Sequence, residues 1–406
     1  MEITLKILFI NADGFFYNNS STMQNMGIVY GLKELGAEVD LLSLQPQRET
    51  IGFDAEMQRV LQDCVNHEYF IPLNGLYQKL NKKKKHIVEN IGHESTWISS
   101  LKGSIRRFIK SFLVFDLRIL NLHNVNKVKI DLSQYDIIIS ASDPKSTHCI
   151  ANYLVKKYHY KGRYIQYWGD PLYLDITRDR NILDRLCKLM EKRTLYFASK
   201  VVYATPFTLK EQMELYPEFA NKMSWVHQAA ISFGSKKKEN NQFKNKISLV
   251  YCGDYRKETR NILPLYHAVK HFHDQFQLSI YGTSNFQLLS TDNIIVHGQV
   301  SRKEADRVEA EADVLVCICN LRGTQIPGKI YYLTDYDKPI IVIVDGNYKN
   351  ELKKYFDDMK RFIVCENTEN GIEEAIQTVR TFYEKPLLME KDEFAPIHMA
   401  ELIIAD

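Results

Sequence analysis

The stretch QIPGKIYYLTDYDKPIIVI, residues 325–343, sets a polar loop with a proline and a glycine against a helical segment, and Lys338-Pro339 then opens a wholly apolar run. An apolar run bounded by turn residues is the pattern of a strand buried on both faces of a parallel sheet. Loop, helix start and buried strand in succession predict one repeat of an alternating α/β chain.

The same alternation extends in both directions. Upstream stand the apolar runs ISLVYCG, QLSIYG, NIIVHG and DVLVCIC, and downstream RFIVCE, with helical stretches between most of them. The N-terminal half opens on LKILFIN, a loop with Gly14, a helical stretch stopping at Gly36, and EVDLLSL, which together read as a βαβ unit. DIIISAS, RYIQYWG, KVVYAT and MSWVHQAA continue that series. The expected class is therefore α/β, two doubly wound Rossmann-like domains facing a central cleft. The first covers residues 1–233, with a helix-prone insertion at about 50–125; the polar, lysine-rich residues 234–246 form a linker. The second covers 247–388, and residues 389–406 supply a terminal helix crossing back to the first.

Bulk properties narrow the classes. At 406 residues the chain is long for one core, and 45% hydrophobic with 25% charged residues is ordinary globular composition. A net charge of +3 does not imply nucleic acid. The seven cysteines lack a C-x-x-C pair and read as buried thiols in a reducing compartment. MEITLKILFINADG is a charged first strand, not a signal peptide, and no apolar run nears the ~18–20 residues of a membrane helix, so a cytoplasmic protein is expected.

In open α/β sheets ligands bind beyond the carboxyl ends of the strands. In the second half these positions hold Gly253, Arg256 and Arg260, then Gly282, then Gln299 and Val300, then Ile326, Pro327, Gly328 and Lys329. Glycines allow backbone to approach a ligand, and basic side chains beside a helix start at Pro327-Gly328 suit a diphosphate. The same residues read equally as ordinary turns with a solvated basic rim. In the first half the corresponding positions hold Asp13, Gly14, Asp143, His148 and Asp170. The aspartates and His148 are candidates for an acid or base; the aspartates also read as helix caps or turn formers, and His148 as a packed histidine.

The segment 325–343 resembles the donor-binding segment of GT-B glycosyltransferases of the family 4 kind, especially those of bacterial capsule, O-antigen and teichoic-acid synthesis. Pro327, Lys329, Ile330, Tyr331, Lys338, Pro339 and Ile340 fit its pattern with the right spacing. KILFINADG, YDIIISASDPKSTHCIANYLVKKY, YIQYWGDPL, YCGDYRKETRNILPLYHAV and VHGQVSRKEADRVEAEADVLV resemble further segments of that family in order. The resemblance implies transfer of a sugar from a nucleotide-sugar donor to a glycan or lipid-linked glycan acceptor in surface polysaccharide synthesis. It implies no bound metal. It places Gly253, Arg256, Arg260, Gly282, Gln299, Val300, Ile326, Pro327, Gly328, Lys329, Tyr332 and Asp335 around the donor, with Gly14 on the acceptor side. The family's two glutamates, eight residues apart, are replaced here by Thr324 and Tyr332; Asp335, one turn on, is the carboxylate that could stand in for the second. Two competitors follow: a sugar-nucleotide epimerase of the same architecture, and a non-catalytic sugar-nucleotide-binding relative.

Residues 79–118 carry ten Lys or Arg against three acids, with Leu101, Ile105, Phe108, Ile109 and Phe112 at helical spacing between the bases. A basic amphipathic helix suits an anionic membrane surface at the inner face of the cell membrane, or else packs its apolar side on the domain. No nucleic-acid motif accompanies the charge.

Overall fold

A computed structural model describes residues 4–17, 19–48, 50, 53, 54, 57, 64–81, 114–176, 178, 182–229, 231, 246–384 and 391–406. Two compact units form: Met1–His227 with Pro396–Asp406, and Gln228–Ala395. Most of the basic segment 79–118, and the linker but for Lys246, lie outside the described residues.

The first unit is built on a parallel seven-stranded sheet of order β3-β2-β1-β4-β5-β6-β7. Its strands are β1 (Lys6–Ile10), β2 (Glu38–Leu44), β3 (Glu68–Ile71), β4 (Ile137–Ala141), β5 (Arg163–Trp168), β6 (Lys200–Tyr203) and β7 (Met223–Trp225). Central strands are apolar because helices cover both faces: Ile7 to Ile10 and Ile137 to Ile139 are at most 2% exposed. Chain order reverses between β1 and β4, paired in register Ile7↔Ile137, and that is where a doubly wound sheet opens a crevice.

Helix α1 (Ser20–Glu34) starts where the Asn19 carboxamide accepts the Thr22 amide at 2.8 Å. It ends at Gly36, whose φ of +81° is the left-handed stop a glycine takes without strain. α2 (Gly75–Asn81), α3 (Ser146–Lys157), α4 (Asp184–Tyr196) and α5 (Pro206–Leu215) follow, the last capped by Thr205 with proline at its first position.

One expectation is corrected here. The stretch assigned to a helix-prone insertion contains β3, which pairs with β2 and extends the sheet. Four residues, EYFI, ending against Pro72, are too short for an alternation to register.

The second unit holds a parallel six-stranded sheet of order β10-β9-β8-β11-β12-β13. The strands are β8 (Ile247–Cys252), β9 (Phe276–Tyr281), β10 (Ile294–Val296), β11 (Val314–Ile318), β12 (Ile340–Val344) and β13 (Ile363–Glu366). The opening stretch supplies β12, which lies fully buried between β11 and β13. Helices α6 (Leu263–His271), α7 (Arg302–Glu311), α8 (Lys329–Tyr332), α9 (Lys349–Asp358) and α10 (Glu369–Glu384) connect and cover the strands. The switch point lies between β8 and β11, paired Leu249↔Val314.

The last helix, α11 (Pro396–Ile404), belongs to the first unit, where Met399, Ala400 and Ile403 are buried. It packs along α1, and Gly31 makes this possible: a Cβ there would lie 2.0 Å from the Pro396 carbonyl oxygen. Arg163 and Lys200 donate to the Ile404, Leu402 and Ala405 carbonyls and close its C-terminal end.

Candidate active site

In the second unit, two cations of different chain segments stand at the strand ends that flank the β8/β11 switch point. Arg260 Nε donates to Asn320 Oδ1 at 2.8 Å, and Asn320, just past β11, donates to the Gln325 carbonyl at 2.9 Å. Arg256 and Arg260 exchange backbone bonds of 3.1 and 2.9 Å, which folds the loop after β8 into a tight turn. Lys329 Nζ donates at 2.9 Å to the carbonyl of Cys252, the last residue of β8. Arg260 is held by a neutral amide, so its charge stays available to an anion; Arg256 is exposed.

Lys329 is not free in the way the motif suggested. Its ammonium stands 2.5 Å from Glu309 of α7, a residue only 1% exposed. Burial is the largest influence and opposes the charged lysine, yet Glu309 and Cys252 together hold the Lys329 pKa above its ordinary value. Glu309 is a site residue that sequence reading passed over. Its helical position, three after Asp306 and five before the first residue of β11, carries no motif.

A second correction concerns the helix start. α8 is a single turn and runs straight into the 3-10 turn Leu333–Asp335. So few aligned peptides sum to little dipole, and the helix end near Gly328 adds little to the pull of the side-chain cations on an anion. Gly328 has another purpose: a Cβ there would fall 2.1 Å from Gln228 Oε1, which also accepts from the Tyr332 hydroxyl at 3.2 Å. Tyr332, in the place of the second family glutamate, is 4% exposed, Thr324 2% and Ile326 5%; Pro327 and Asp335 are half-buried.

Gly253 and Gly282 are positioned by each other. Gly282 has φ +147° and its missing Cβ would lie 2.0 Å from the Gly253 carbonyl oxygen, so the loops after β8 and β9 touch through backbone alone. Asp254 fastens them further by accepting from the Thr283 amide and hydroxyl at 3.1 and 2.6 Å. Gln299 is exposed and Val300 half-buried in the loop leading to Ser301, the N-cap of α7. The motif lysine Lys338 lies at the other end of α7, donating to the carbonyls of Glu309, Ala310 and Ala312.

In the first unit the β1/β4 switch point gathers charge of both signs. Asn11 Nδ2 bridges the Ala141 and Asp143 carbonyls at 2.8 and 3.1 Å, locking the two loops together. Asp13 forms a two-point ion pair with Arg118, 2.5 and 2.7 Å. Burial pushes the Asp13 carboxyl up, and the Arg118 guanidinium only partly offsets the rise. Asp116 holds the start of α3 by accepting from the Ser146 amide and hydroxyl at 3.0 and 2.8 Å. Lys145 donates to Asp143 at 2.9 Å and Asp175 at 2.6 Å. Burial disfavours its charge, but Asp143, Asp175 and Asp170 overcome this and raise the lysine above its ordinary pKa. Gly14, at φ +58°, turns the chain under the Phe16 ring, which a Cβ would meet at 2.8 Å.

Sequence reading found Asp13, Asp143 and Asp170 but not the cations between them. Arg118 lay inside the supposed insertion, and Lys145 follows a proline with no motif to mark it. His148 is corrected. It is 0% exposed, stacked on Trp168 at 4.1 Å, and bonded through Nδ1 to Ser140 Oγ at 2.8 Å. Burial, with the Lys145 charge, pushes its pKa down to about 3, so it is a neutral core residue and not a base facing substrate. Among the described residues no group of His, Cys, Asp or Glu is arranged to hold a metal.

No family model matches the chain, and no curated protein matches it. Solved structures do. The glycosyltransferase of Rickettsia africae ESF-5 superposes with TM-score 0.54 at 12% identity, over 99% of this chain and 95% of that one. HepE of Anabaena, solved with UDP and glucose, gives 0.55 at 11% identity over 98% and 94%. The catalytic domain of Starch Synthase IV from Arabidopsis thaliana, bound to ADP and acarbose, gives 0.56 at 12% over 99% and 96%. The chain therefore has the GT-B fold, two parallel-sheet α/β domains of seven and six strands.

Proposed function

We propose that this protein is a glycosyltransferase of the family 4 kind, moving a sugar from a nucleotide-sugar donor held by the second unit to a glycan or lipid-linked glycan acceptor held by the first. The observation that carries the reading is the pair of cations at the β8/β11 switch point. Arg260 hangs from Asn320 beyond β11, while Lys329 reaches the last carbonyl of β8. Two cations from separate segments at the ligand-binding edge of a parallel sheet suit a diphosphate. In transfer, the diphosphate gains charge as the glycosidic bond breaks, and fixed cations favour that state. Glu309 balances Lys329, so Arg260 carries the larger share, with exposed Arg256 at the mouth of the turn.

On the acceptor side, Asp143 is the carboxylate we assign to the acceptor hydroxyl. Its side chain is 33% exposed, and Lys145 engages Oδ1 only. In an inverting reaction it takes the hydroxyl proton; in a retaining one it orients the hydroxyl. Asp13 is doubly engaged by Arg118 and holds the loop after β1 in shape. The leaving group is stabilised by side chains, without a resident metal.

The test is calorimetric titration with UDP- and ADP-sugars, followed by assay of acceptor-dependent diphosphate release. Saturable binding with acceptor-dependent release, both lost in Arg260→Ala, is expected. Release of altered sugar without acceptor would assign an epimerase, and binding without turnover a non-catalytic relative. No binding of any nucleotide sugar would sink the reading.

A further inference from the structure

We propose that the outward face of α4 docks the protein on an anionic lipid surface. The inner face of this helix is built conventionally: Cys187, Glu191, Thr194 and Leu195 are buried. Its outer face should then be polar throughout. Instead Leu186 is 41% exposed, Leu189 44% and Tyr196 69%, and Ile182, just ahead of the helix, is 90% exposed. Positions 186, 189 and 196 fall on one line at helical spacing, so the side chains form a stripe rather than scattered exposures.

Charge selects the occupant. Arg185, Lys188 and Lys192 border the stripe and Arg193 stands within it, all exposed. Lys192 is shared with Glu218 at 2.5 Å; among the described residues Arg185, Lys188 and Arg193 form no ion pair. Aliphatic side chains at the acyl boundary, a tyrosine at headgroup depth and basic groups among phosphates are what an interfacial helix presents to anionic lipid. A second copy of the chain would oppose one basic helix with another. Nucleic acid or an acidic protein surface would answer the bases but leave two leucines and an isoleucine without apolar partners. The inference does not rest on sugar transfer, although a lipid-linked acceptor would make use of it.

The test is co-sedimentation of the full chain with vesicles of phosphatidylcholine alone and of phosphatidylcholine mixed with phosphatidylglycerol, with no sugar nucleotide present. Binding to the mixed vesicles, weakened by salt, is expected. The double variants Leu186→Ser/Leu189→Ser and Arg185→Glu/Lys188→Glu should each lower it at least about tenfold, with unchanged circular dichroism and melting. A Leu189→Cys variant carrying an environment-sensitive fluorophore keeps the wild-type charges and should shift to the blue on mixed vesicles. Failure to bind mixed vesicles, binding indifferent to both double variants, or lipid-free heparin binding as tight as vesicle binding would overturn the proposal. None of these outcomes bears on donor binding.

Discussion

At the scale of single residues, the first unit concentrates charge where water is scarce. Lys145 is 9% exposed and serves as the shared cation of Asp143 and Asp175. Lys145→Met should cost about 3–5 kcal/mol of stability in chemical denaturation, because it leaves carboxylates without a cation in a buried setting. His148 gives a pH signature. Its folded pKa, pushed down by burial to about 3, lies below the ordinary 6.5. Between these values the unfolded chain takes a proton that the folded one refuses, so this residue's contribution to stability falls as pH falls from 6.5 toward 3. Denaturation midpoints measured across that window should decline less steeply in His148→Phe than in the wild-type protein. Legibility ends at this scale for a physical reason. Asp13, Asp143, Arg260 and Lys329 stand where a strand-end argument puts them. Arg118, Lys145 and Glu309 are brought in by tertiary packing, which no spacing encodes.

At the scale of elements, most strands were visible as apolar runs because parallel strands buried on both faces are predominantly apolar, their few polar residues, such as Ser140 and Gln166, being hydrogen-bonded. β3 escaped because it is short and lies at the sheet edge, and the length of α8 could not be read because a proline-glycine loop signals a helix start but not its extent. Two predictions belong here. Alanine is normally the better helix former, yet Gly31→Ala should lower the melting temperature, since the new methyl would sit 2.0 Å from the Pro396 oxygen and separate α1 from α11. Lys338→Met should cost about 1–3 kcal/mol by urea denaturation, for it strips three carbonyls at the end of α7 of their donor. Through α7 the loss should reach Glu309 and weaken its hold on Lys329.

At the scale of the whole molecule, two doubly wound α/β domains were readable from the doubled alternation of strands and helices, while the GT-B expectation came from the resemblance of the segment around Lys329. If the donor reading holds, a nucleotide sugar at 100 times its dissociation constant should stabilise the protein by about 2.7 kcal/mol, read as a rise in melting temperature, and EDTA should leave both the rise and the turnover unchanged.

The first unit is assembled from two pieces of chain, Met1–His227 and Pro396–Asp406, with everything in the second unit made between them. A ribosome therefore releases the seven-stranded sheet long before the segment that seals α1 against it. Throughout that interval the nascent protein carries an open apolar seam along α1 around Gly31, a natural place for a chaperone to hold it. Synthesis order thus makes Pro396–Asp406 the latch on a domain whose sheet is already made.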